Sequence, residues 1–182
     1  REGVPLKPML AKPTNGVEAI LARFEGNKFT CEYKYDGERA QIHRLADGSF
    51  KIFSRNSEDN TSKYPDVIAS LPEALAAPAS TTTFIVDAEV VAFDRATNKT
   101  LPFQRLSSRA RKDVEADDVK VQVVLYLFDA LLINGKSLLQ SPLVERRTQL
   151  RATFREVPQR VFFASGRDLT ETEDIMEFFQ EI

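Results

Sequence analysis

The segment from residue 32 to residue 39 carries more ionisable groups than a strand normally holds. Its residues are Glu-Tyr-Lys-Tyr-Asp-Gly-Glu-Arg, and the alternation expected of a strand places Glu32, Lys34 and Asp36 on one face. A lysine amine becomes a nucleophile when burial or neighbouring cations lower its pKa. Gly37 would permit a sharp turn and the close backbone approach that a phosphate requires. The segment therefore indicates either a solvated strand face or a covalent site that acts on phosphate.

Three further charged residues lie in or beside predicted strands. Glu89 interrupts the apolar run 84–93, where a buried carboxylate is costly unless a cation, a metal or a hydroxyl group lies beside it. Arg39 and Arg55 carry fixed guanidinium charges that can reach nucleotide or phosphate oxygens from adjacent hairpin strands. The alternatives are a structural arginine that pairs with Glu89, and solvent-facing positions for the two arginines.

A short motif at the first predicted strand carries a resemblance to a known family. Lys34-Tyr35-Asp36-Gly37 followed by Arg39 resembles the K-x-D-G-x-R motif of the covalent nucleotidyltransferases, which are DNA ligases, RNA ligases and messenger-RNA capping enzymes. Over nearly the whole chain the sequence is similar to eukaryotic ATP-dependent DNA ligases of the ligase I type. The matching segments, in family order, are Glu32 to His43, Phe53-Ser54-Arg55-Asn56 with Glu58-Asp59-Asn60-Thr61, Lys63-Tyr64-Pro65-Asp66, Phe84 to Phe93, and Tyr126-Leu127-Phe128-Asp129.

The resemblance implies an adenylation domain with the covalent nucleotidyltransferase fold, which is similar to ATP-grasp. Lys34 would attack the α-phosphorus of ATP, expel pyrophosphate and hold AMP as a lysyl phosphoramidate. AMP would then pass to the 5′-phosphate of a DNA nick, which the 3′-hydroxyl attacks. This chemistry depends on charge neutralisation and in-line geometry. The implied cofactors are ATP and Mg²⁺, and the implied partner is nicked double-stranded DNA.

The resemblance also assigns roles to single positions. Glu32 would read the adenine amino edge, and Phe128 would stack on the adenine ring. Arg39 would contact the nucleotide, and Arg55 a phosphate that belongs either to the nucleotide or to the nicked strand. Glu89 would lie beside the ribose and help to hold the divalent metal. The alternative for Phe128 is an ordinary core aromatic, since aromatic side chains in apolar strands usually pack in the core.

Apolar periodicity predicts one α+β domain over residues 1–182, with antiparallel sheets flanked by helices and no linker that divides it. Asp47-Gly48 lies between two strand patterns and predicts a hairpin, and Asn134-Gly135 predicts a turn. Strands are predicted at 29–35, 39–45, 50–54, 84–93, 119–133 and 161–164, and helices at 17–25, 64–75, 103–111, 141–154 and from 170 to the end.

The composition excludes several classes of protein. With 42% hydrophobic residues the chain can form a core, and its 25 basic and 27 acidic residues give a net charge of −2. One cysteine and one histidine exclude a disulfide framework and a zinc site. No apolar run is long enough to span a membrane. Any contact with nucleic acid must use local basic patches; the one candidate patch, which is either a DNA contact or a solvated helix face, comprises Arg105, Arg109, Arg111 and Lys112.

The resemblance extends to what surrounds such a domain. Ligases of this type continue past the position of Ile182 into a second glutamate motif, a strand with two lysines and an OB-fold, and a DNA-binding domain precedes them. We therefore expect a partial, C-terminally truncated adenylation domain that is monomeric, self-adenylates weakly and seals no nick alone. The family implies nuclear roles in replication, repair and recombination. The alternatives are a capping-type or RNA-ligase-type enzyme, and a DNA-binding module without catalytic activity.

Overall fold

The computed structural model describes residues 1–24, 26–77, 82–109, 121–170, 175, 177, 178 and 180. The chain forms two compact units. The sheet unit comprises Arg1–Lys7 and Tyr35–Phe163, and the small unit comprises Pro8–Lys34 and Ala164–Ile182. Each unit joins segments that are distant in sequence, so that no linker marks the division. That residues 1–182 form part of one adenylation domain stays a prediction.

The secondary structure alternates strands with short helices. The helices and strands in chain order are α1 (Val17–Phe24), β1 (Phe29–Glu32), β2 (Glu38–Arg44), β3 (Phe50–Phe53), a 3-10 turn (Thr61–Lys63), α2 (Pro65–Ser70), β4 (Phe84–Asp94), β5 (Lys99–Thr100), α3 (Phe103–Ser107), β6 (Val123–Ile133), β7 (Lys136–Ser137), α4 (Leu143–Thr153), β8 (Val161–Phe163) and β9 (Gly166–Leu169). No helix within the described ranges has the length and apolar character needed to cross a membrane.

The sheet unit is built on a seven-stranded sheet in the order β3-β2-β4-β6-β7, with β5 beside β4 and β8 beside β6. All of its strand pairs are antiparallel except β6 and β8. This parallel pair, absent from the prediction, follows from the crossover through α4. The predicted hairpin at Asp47-Gly48 and the predicted turn at Asn134-Gly135 are confirmed, because Gly48, Asn134 and Gly135 have the positive φ values that such turns require.

The main core lies on one face of this sheet. Alternate residues of β2 and β4, such as Ala40, Ile42 and Ala88, are buried there against Leu71 after α2 and Leu150 of α4. The apolar run of β4 is the most buried segment, with only Glu89 and Asp94 partly exposed. The opposite face therefore receives the other set of alternate side chains, which includes the charged residues described below.

The small unit pairs β1 with β9 in an antiparallel ribbon in which Phe29 lies opposite Leu169. These two side chains form a core with Ile175 and Phe178, and α1 covers it with partly buried residues. The sequence did not predict β9, because its four residues include only one apolar side chain. Of the predicted last helix, residues 171–174 lie outside the described part, and residues 175, 177, 178 and 180 are helical.

Several predicted elements are shorter in the structure. The first strand, predicted to reach residue 35, ends at Glu32. The helix predicted at 64–75 is limited to α2, and a 3-10 turn precedes it. The helix predicted at 141–154 begins at Leu143 as α4, because Pro142, its N-cap, has an extended ψ of 156°.

Two buried polar side chains hold the N-terminal segment against β2. The Gly3 N–H donates to His43 Nδ1 at 3.0 Å, and the Leu6 N–H donates to Gln41 Oε1 at 2.7 Å. Since Nδ1 accepts, the hydrogen lies on Nε2, which donates to Gln41 Oε1 at 3.0 Å. Burial, assisted by the amino group of Arg1, lowers the pKa of His43 from 6.5 to about 4. The neutral imidazole is therefore the form that the fold requires.

We expect the free energy of unfolding to fall as pH decreases from 6.5 to 4. The folded pKa of His43 is lower than the unfolded value, so that the unfolded chain takes up the proton first. The full difference corresponds to about 3 kcal/mol. Urea denaturation of the 182-residue chain at about pH 7 and about pH 4.5 measures this change in the free energy of unfolding. His43→Gln should flatten this dependence, and an equal loss of stability in the variant would contradict the assignment.

Candidate active site

The face of the sheet opposite the main core carries a pair of opposed charges at its centre. Arg39 of β2 and Glu89 of β4 are direct register partners, so that their side chains share this face. Asp87 lies two residues earlier on β4 and shares the face as well. Glu89 is half-buried and Asp87 is almost fully buried. Two acidic residues and one arginine thus meet where β2 and β4 pair.

Asp87, to which the sequence assigned no role, is the residue that holds Arg39. The Arg39 Nη2 atom lies 2.5 Å from Asp87 Oδ2, and the two side chains are 22% and 3% exposed. Burial raises the pKa of Asp87, and the hydrogen bond and charge of Arg39 oppose that rise. Burial of the Asp87 carboxylate without a cation would destabilise the fold. Arg39 therefore allows an acid to be buried in β4.

Phe128 reaches the same area through an irregularity in β6. Asp87 is paired with Asp129 and the next residue, Ala88, with Leu127, so that Phe128 is the additional residue of a β-bulge. A bulge turns a side chain away from the regular alternation of the strand. The half-buried ring of Phe128 lies with its centroid 5.3 Å from Arg39 Cζ. The only sequence signal for the bulge was the polar Asp129 inside the apolar run of β6.

Asp129 is fixed by a bidentate pair with Arg146 of α4. Its two carboxylate oxygens accept from Arg146 Nε at 2.8 Å and from Arg146 Nη2 at 2.9 Å. The hydrogen bond to Asp129 raises the pKa of Arg146. This pair holds the position next to the bulge against α4 and gives Phe128 a rigid neighbour.

The residues that follow Lys34 are anchored one by one. Tyr35 stacks on Tyr126, with ring centroids 3.7 Å apart and planes at 15°. Asp36 Oδ2 accepts from the Phe103 N–H, the first of α3, at 3.0 Å. A Cβ on Gly37 would lie 2.3 Å from the carbonyl oxygen of Val90. The φ of Gly37 is not positive, so the glycine serves the close approach to β4 rather than the predicted sharp turn.

Glu32 and Lys34 belong to the small unit. Glu32 is the last residue of β1, lies opposite Gly166 of β9, and is exposed. Lys34 is exposed and lies two residues past the end of β1. Because the strand has already ended, the predicted common strand face of Glu32, Lys34 and Asp36 is wrong. The next residue in the chain, Tyr35, is the first of the second segment of the sheet unit.

Arg55 lies in the exposed loop between β3 and the 3-10 turn, two residues past the end of β3, and not on a hairpin strand as expected. Ser54 closes this loop. Its hydroxyl oxygen accepts from the backbone N–H groups of Asn56 and Glu58, each at 3.2 Å, and its own N–H donates to the Glu58 carbonyl at 2.9 Å. Arg55 is thus carried on a tight turn with its side chain in solvent.

The predicted basic cluster does not form one surface. Arg109 is buried and pairs with Asp66, and its Cζ atom lies 5.2 Å from the centroid of the Tyr64 ring. It is therefore neither a DNA contact nor a solvated residue. Arg105 is exposed, and residues 111 and 112 lie outside the described residues. A sequence pattern could not reveal the pairing, because Asp66 is 43 residues away.

Comparison with known proteins identifies the class and then the family. The fold is shared with a solved DNA ligase structure: a mycobacterial DNA ligase D complexed with ATP and MES matches 75% of this chain and 40% of its own, with a TM-score of 0.55 and 23% identity. The family model described as "ATP dependent DNA ligase domain" matches residues 8–182, and the chain belongs to this family. The resemblance inferred from the motif and the predicted α+β fold class are both confirmed.

The similar proteins are DNA ligases. DNA ligase 1 of Arabidopsis thaliana is 53% identical over 176 residues, which is 97% of this chain and 22% of that protein. DNA ligase 1 of Drosophila melanogaster is 48% identical over 179 residues, 98% of this chain and 24% of that protein. The chain thus spans about a quarter of the length of these relatives.

The close approach at Gly37 predicts that Gly37→Ala is destabilising. A methyl group placed 2.3 Å from a backbone oxygen cannot be accommodated without moving β4. We expect a loss of about 2 kcal/mol in the free energy of unfolding by urea denaturation. Gly16→Ala is the comparison, because nothing lies within 4 Å of its added Cβ and only its φ of 82° opposes the change. Unchanged stability of Gly37→Ala would contradict the packing.

The Arg39–Asp87 pair predicts strong coupling in a double-mutant cycle. Asp87→Ala and Arg39→Ala should each cost about 3 kcal/mol, because each leaves a charge buried without this partner. The free energy of unfolding lost in the double variant should be about 1 to 3 kcal/mol smaller than the sum of the losses in the two single variants. The exposed Lys28–Asp168 pair is the control, with an expected coupling below about 1 kcal/mol. Equal coupling in the two cycles would contradict the burial argument.

Proposed function

We propose that this chain binds ATP and uses Lys34 to form the lysyl-AMP intermediate of DNA nick sealing. The observation that carries the proposal is the convergence of Arg39, Glu89 and Phe128 on one face of the sheet in a member of the ATP-dependent DNA ligase family. A fixed cation, a carboxylate and an aromatic ring are the groups that a nucleoside phosphate can use. The DNA ligase family does not favour the capping-type and RNA-ligase-type alternatives.

The proposed reaction has three steps. In the first, the neutral amine of Lys34 forms a bond to the α-phosphorus of ATP, the bond to the bridging oxygen breaks, and pyrophosphate leaves. In the second, a 5′-phosphate oxygen of the nick attacks the same phosphorus, and the lysine amine departs. In the third, the 3′-hydroxyl attacks the 5′-phosphate, AMP leaves and the phosphodiester bond is complete. Each step transfers a phosphorus centre between nucleophiles, so that positioning and charge neutralisation carry the catalysis.

The nucleotide-binding roles follow from the chemistry of each side chain. Phe128 offers a half-buried ring for adenine, and Arg39 beside it offers a charge for the nucleotide. Glu32 would accept from the adenine amino group, which favours ATP over GTP. Such discrimination is large when a polar group would otherwise lose its partner.

Glu89 is the proposed metal ligand. Among the described residues, no group of three or more His, Cys, Asp or Glu side chains is arranged to hold a metal ion. Mg²⁺ fits nevertheless, because it is usually bound through one or two carboxylates together with substrate phosphates and water. Asp87 pairs with Arg39, and Glu89, which is half-buried on the same face of the sheet, would be the metal ligand. When bound, Mg²⁺ neutralises phosphate charge during the transfer.

Nicked double-stranded DNA is the proposed macromolecular partner. Arg55, exposed on its closed turn, would contact a phosphate of the nicked strand. A nuclear role in replication, repair and recombination belongs to the proposal and is supported by the eukaryotic origin of the similar DNA ligase 1 proteins.

Labelling of the whole protein that contains this chain tests the proposal. With Mg²⁺ present, [α-³²P]ATP should label the denatured protein and [γ-³²P]ATP should not, because pyrophosphate leaves. Lys34→Arg should reduce the label to background, since its guanidinium is not a nucleophile at neutral pH. Lys28→Arg, at an exposed lysine directly before β1, should label like the wild type. Nicked DNA should discharge the label.

Three outcomes would overturn parts of the proposal. Undiminished labelling of Lys34→Arg would exclude Lys34 as the nucleophile. Preferential labelling by GTP would favour a capping-type enzyme. Full sealing activity in Lys34→Arg would leave this region without a catalytic role, as in a DNA-binding module.

A further inference from the structure

Glu38 is a charged residue that has no role in the proposed reaction. It precedes Arg39 on β2, and its side chain is on the opposite face of the sheet, where it contacts Lys63 and Tyr64. Glu38 Oε2 accepts from Lys63 Nζ at 2.5 Å and from the Tyr64 hydroxyl at 2.9 Å, and Oε1 accepts from Asn60 Nδ2 at 2.8 Å. Three donors thus converge on one carboxylate.

The donors of this cluster are themselves well buried. The Lys63 side chain is 10% exposed, Tyr64 is 1% exposed, and the lysine Nζ lies 5.2 Å from the tyrosine ring centroid. Burial first, and then the charge of Glu38, raise the pKa of Tyr64, so that its hydroxyl remains a donor. A buried lysine with a carboxylate partner is stable only while both charges are present.

The same cluster closes the loop that carries Arg55. Asn60 is the last residue of this loop, and its N–H donates to the carbonyl of Ile52 in β3 at 2.8 Å. The Ile52 N–H in turn donates to Thr61 Oγ1 at 3.0 Å. Loop residues 54–60 therefore have one end closed by Ser54 and the other tied to β3 and to Glu38.

We infer that Glu38 and Lys63 are positioning residues that set the location of Arg55 for a phosphate of the nicked strand. The inference rests on the proposed function, which gives Arg55 that phosphate. The pair touches neither ATP nor DNA, and it acts through Asn60 and the loop. Loss of either charge leaves the other buried and unpaired, so that the base of the loop must move to solvate it. A displacement of about 1 Å is enough to weaken a phosphate contact severely.

A cycle of variants in the whole protein tests the inference. Glu38→Ala should raise the KM for nicked DNA on the order of tenfold, and Arg55→Ala should do the same. The double variant should be no worse than Arg55→Ala alone, because both changes remove the same contact. The rate of lysyl-AMP formation without DNA should change less than about threefold in Glu38→Ala, which lies outside the proposed nucleotide site. Lys63→Met should behave like Glu38→Ala, and Lys63→Arg, which keeps the charge, should recover part of the affinity.

A matched variant distinguishes the effect of lower stability from the effect of a misplaced loop. Val157→Ala, in the same core but away from the loop, should lower the Tm without raising the KM for nicked DNA. If Glu38→Ala does not fold, Glu38→Gln enters the same cycle, since it removes the charge and retains the shape. Effects of Glu38 and Arg55 that multiply in the double variant would overturn the inference. A wild-type protein that forms no lysyl-AMP would instead overturn the proposed function.

Discussion

The buried ion pair between Arg39 and Asp87 is the constraint on which the candidate site depends. Strand β4 is apolar apart from three acids, and the buried one, Asp87, requires a cation from the neighbouring strand. A slip of one residue between β2 and β4 would place Arg39 in the apolar core and leave Asp87 alone. The pair therefore specifies the register that puts Glu89 opposite Arg39, and Phe128 completes the group from its bulge.

The segment after Lys34 has an anchor at each residue. Tyr35 is held by an aromatic stack, Asp36 by the first N–H of α3, Gly37 by its approach to β4, and Glu38 by Lys63 and its neighbours. Four different interactions on consecutive residues leave little conformational freedom where the chain enters the sheet unit. For a reaction that depends on geometry more than on acid–base chemistry, such pre-organisation lowers the entropic cost of reaching the transition state.

The sequence predicted local structure and chemistry better than it predicted long-range pairing. The hairpins at Gly48 and Gly135 and the strand β4 were predictable because turn chemistry and apolar runs act over a few residues. The shared face of Arg39 and Glu89 depended on register, which no short window contains. For the same reason Asp87 and the pairing of β9 with β1 were missed, and Arg109 was assigned to the surface. Each of these depends on a partner that is distant in sequence.

The central claim is that the face bearing Arg39, Glu89 and Phe128 is a nucleotide site. A crystal structure of the protein with bound ATP tests this claim most directly. We predict adenine stacked on the Phe128 ring, an Arg39 guanidinium nitrogen within hydrogen-bond distance of a nucleotide oxygen, and the Arg39–Asp87 pair retained. Nucleotide bound elsewhere, with the Phe128 ring and Arg39 untouched, would contradict the account.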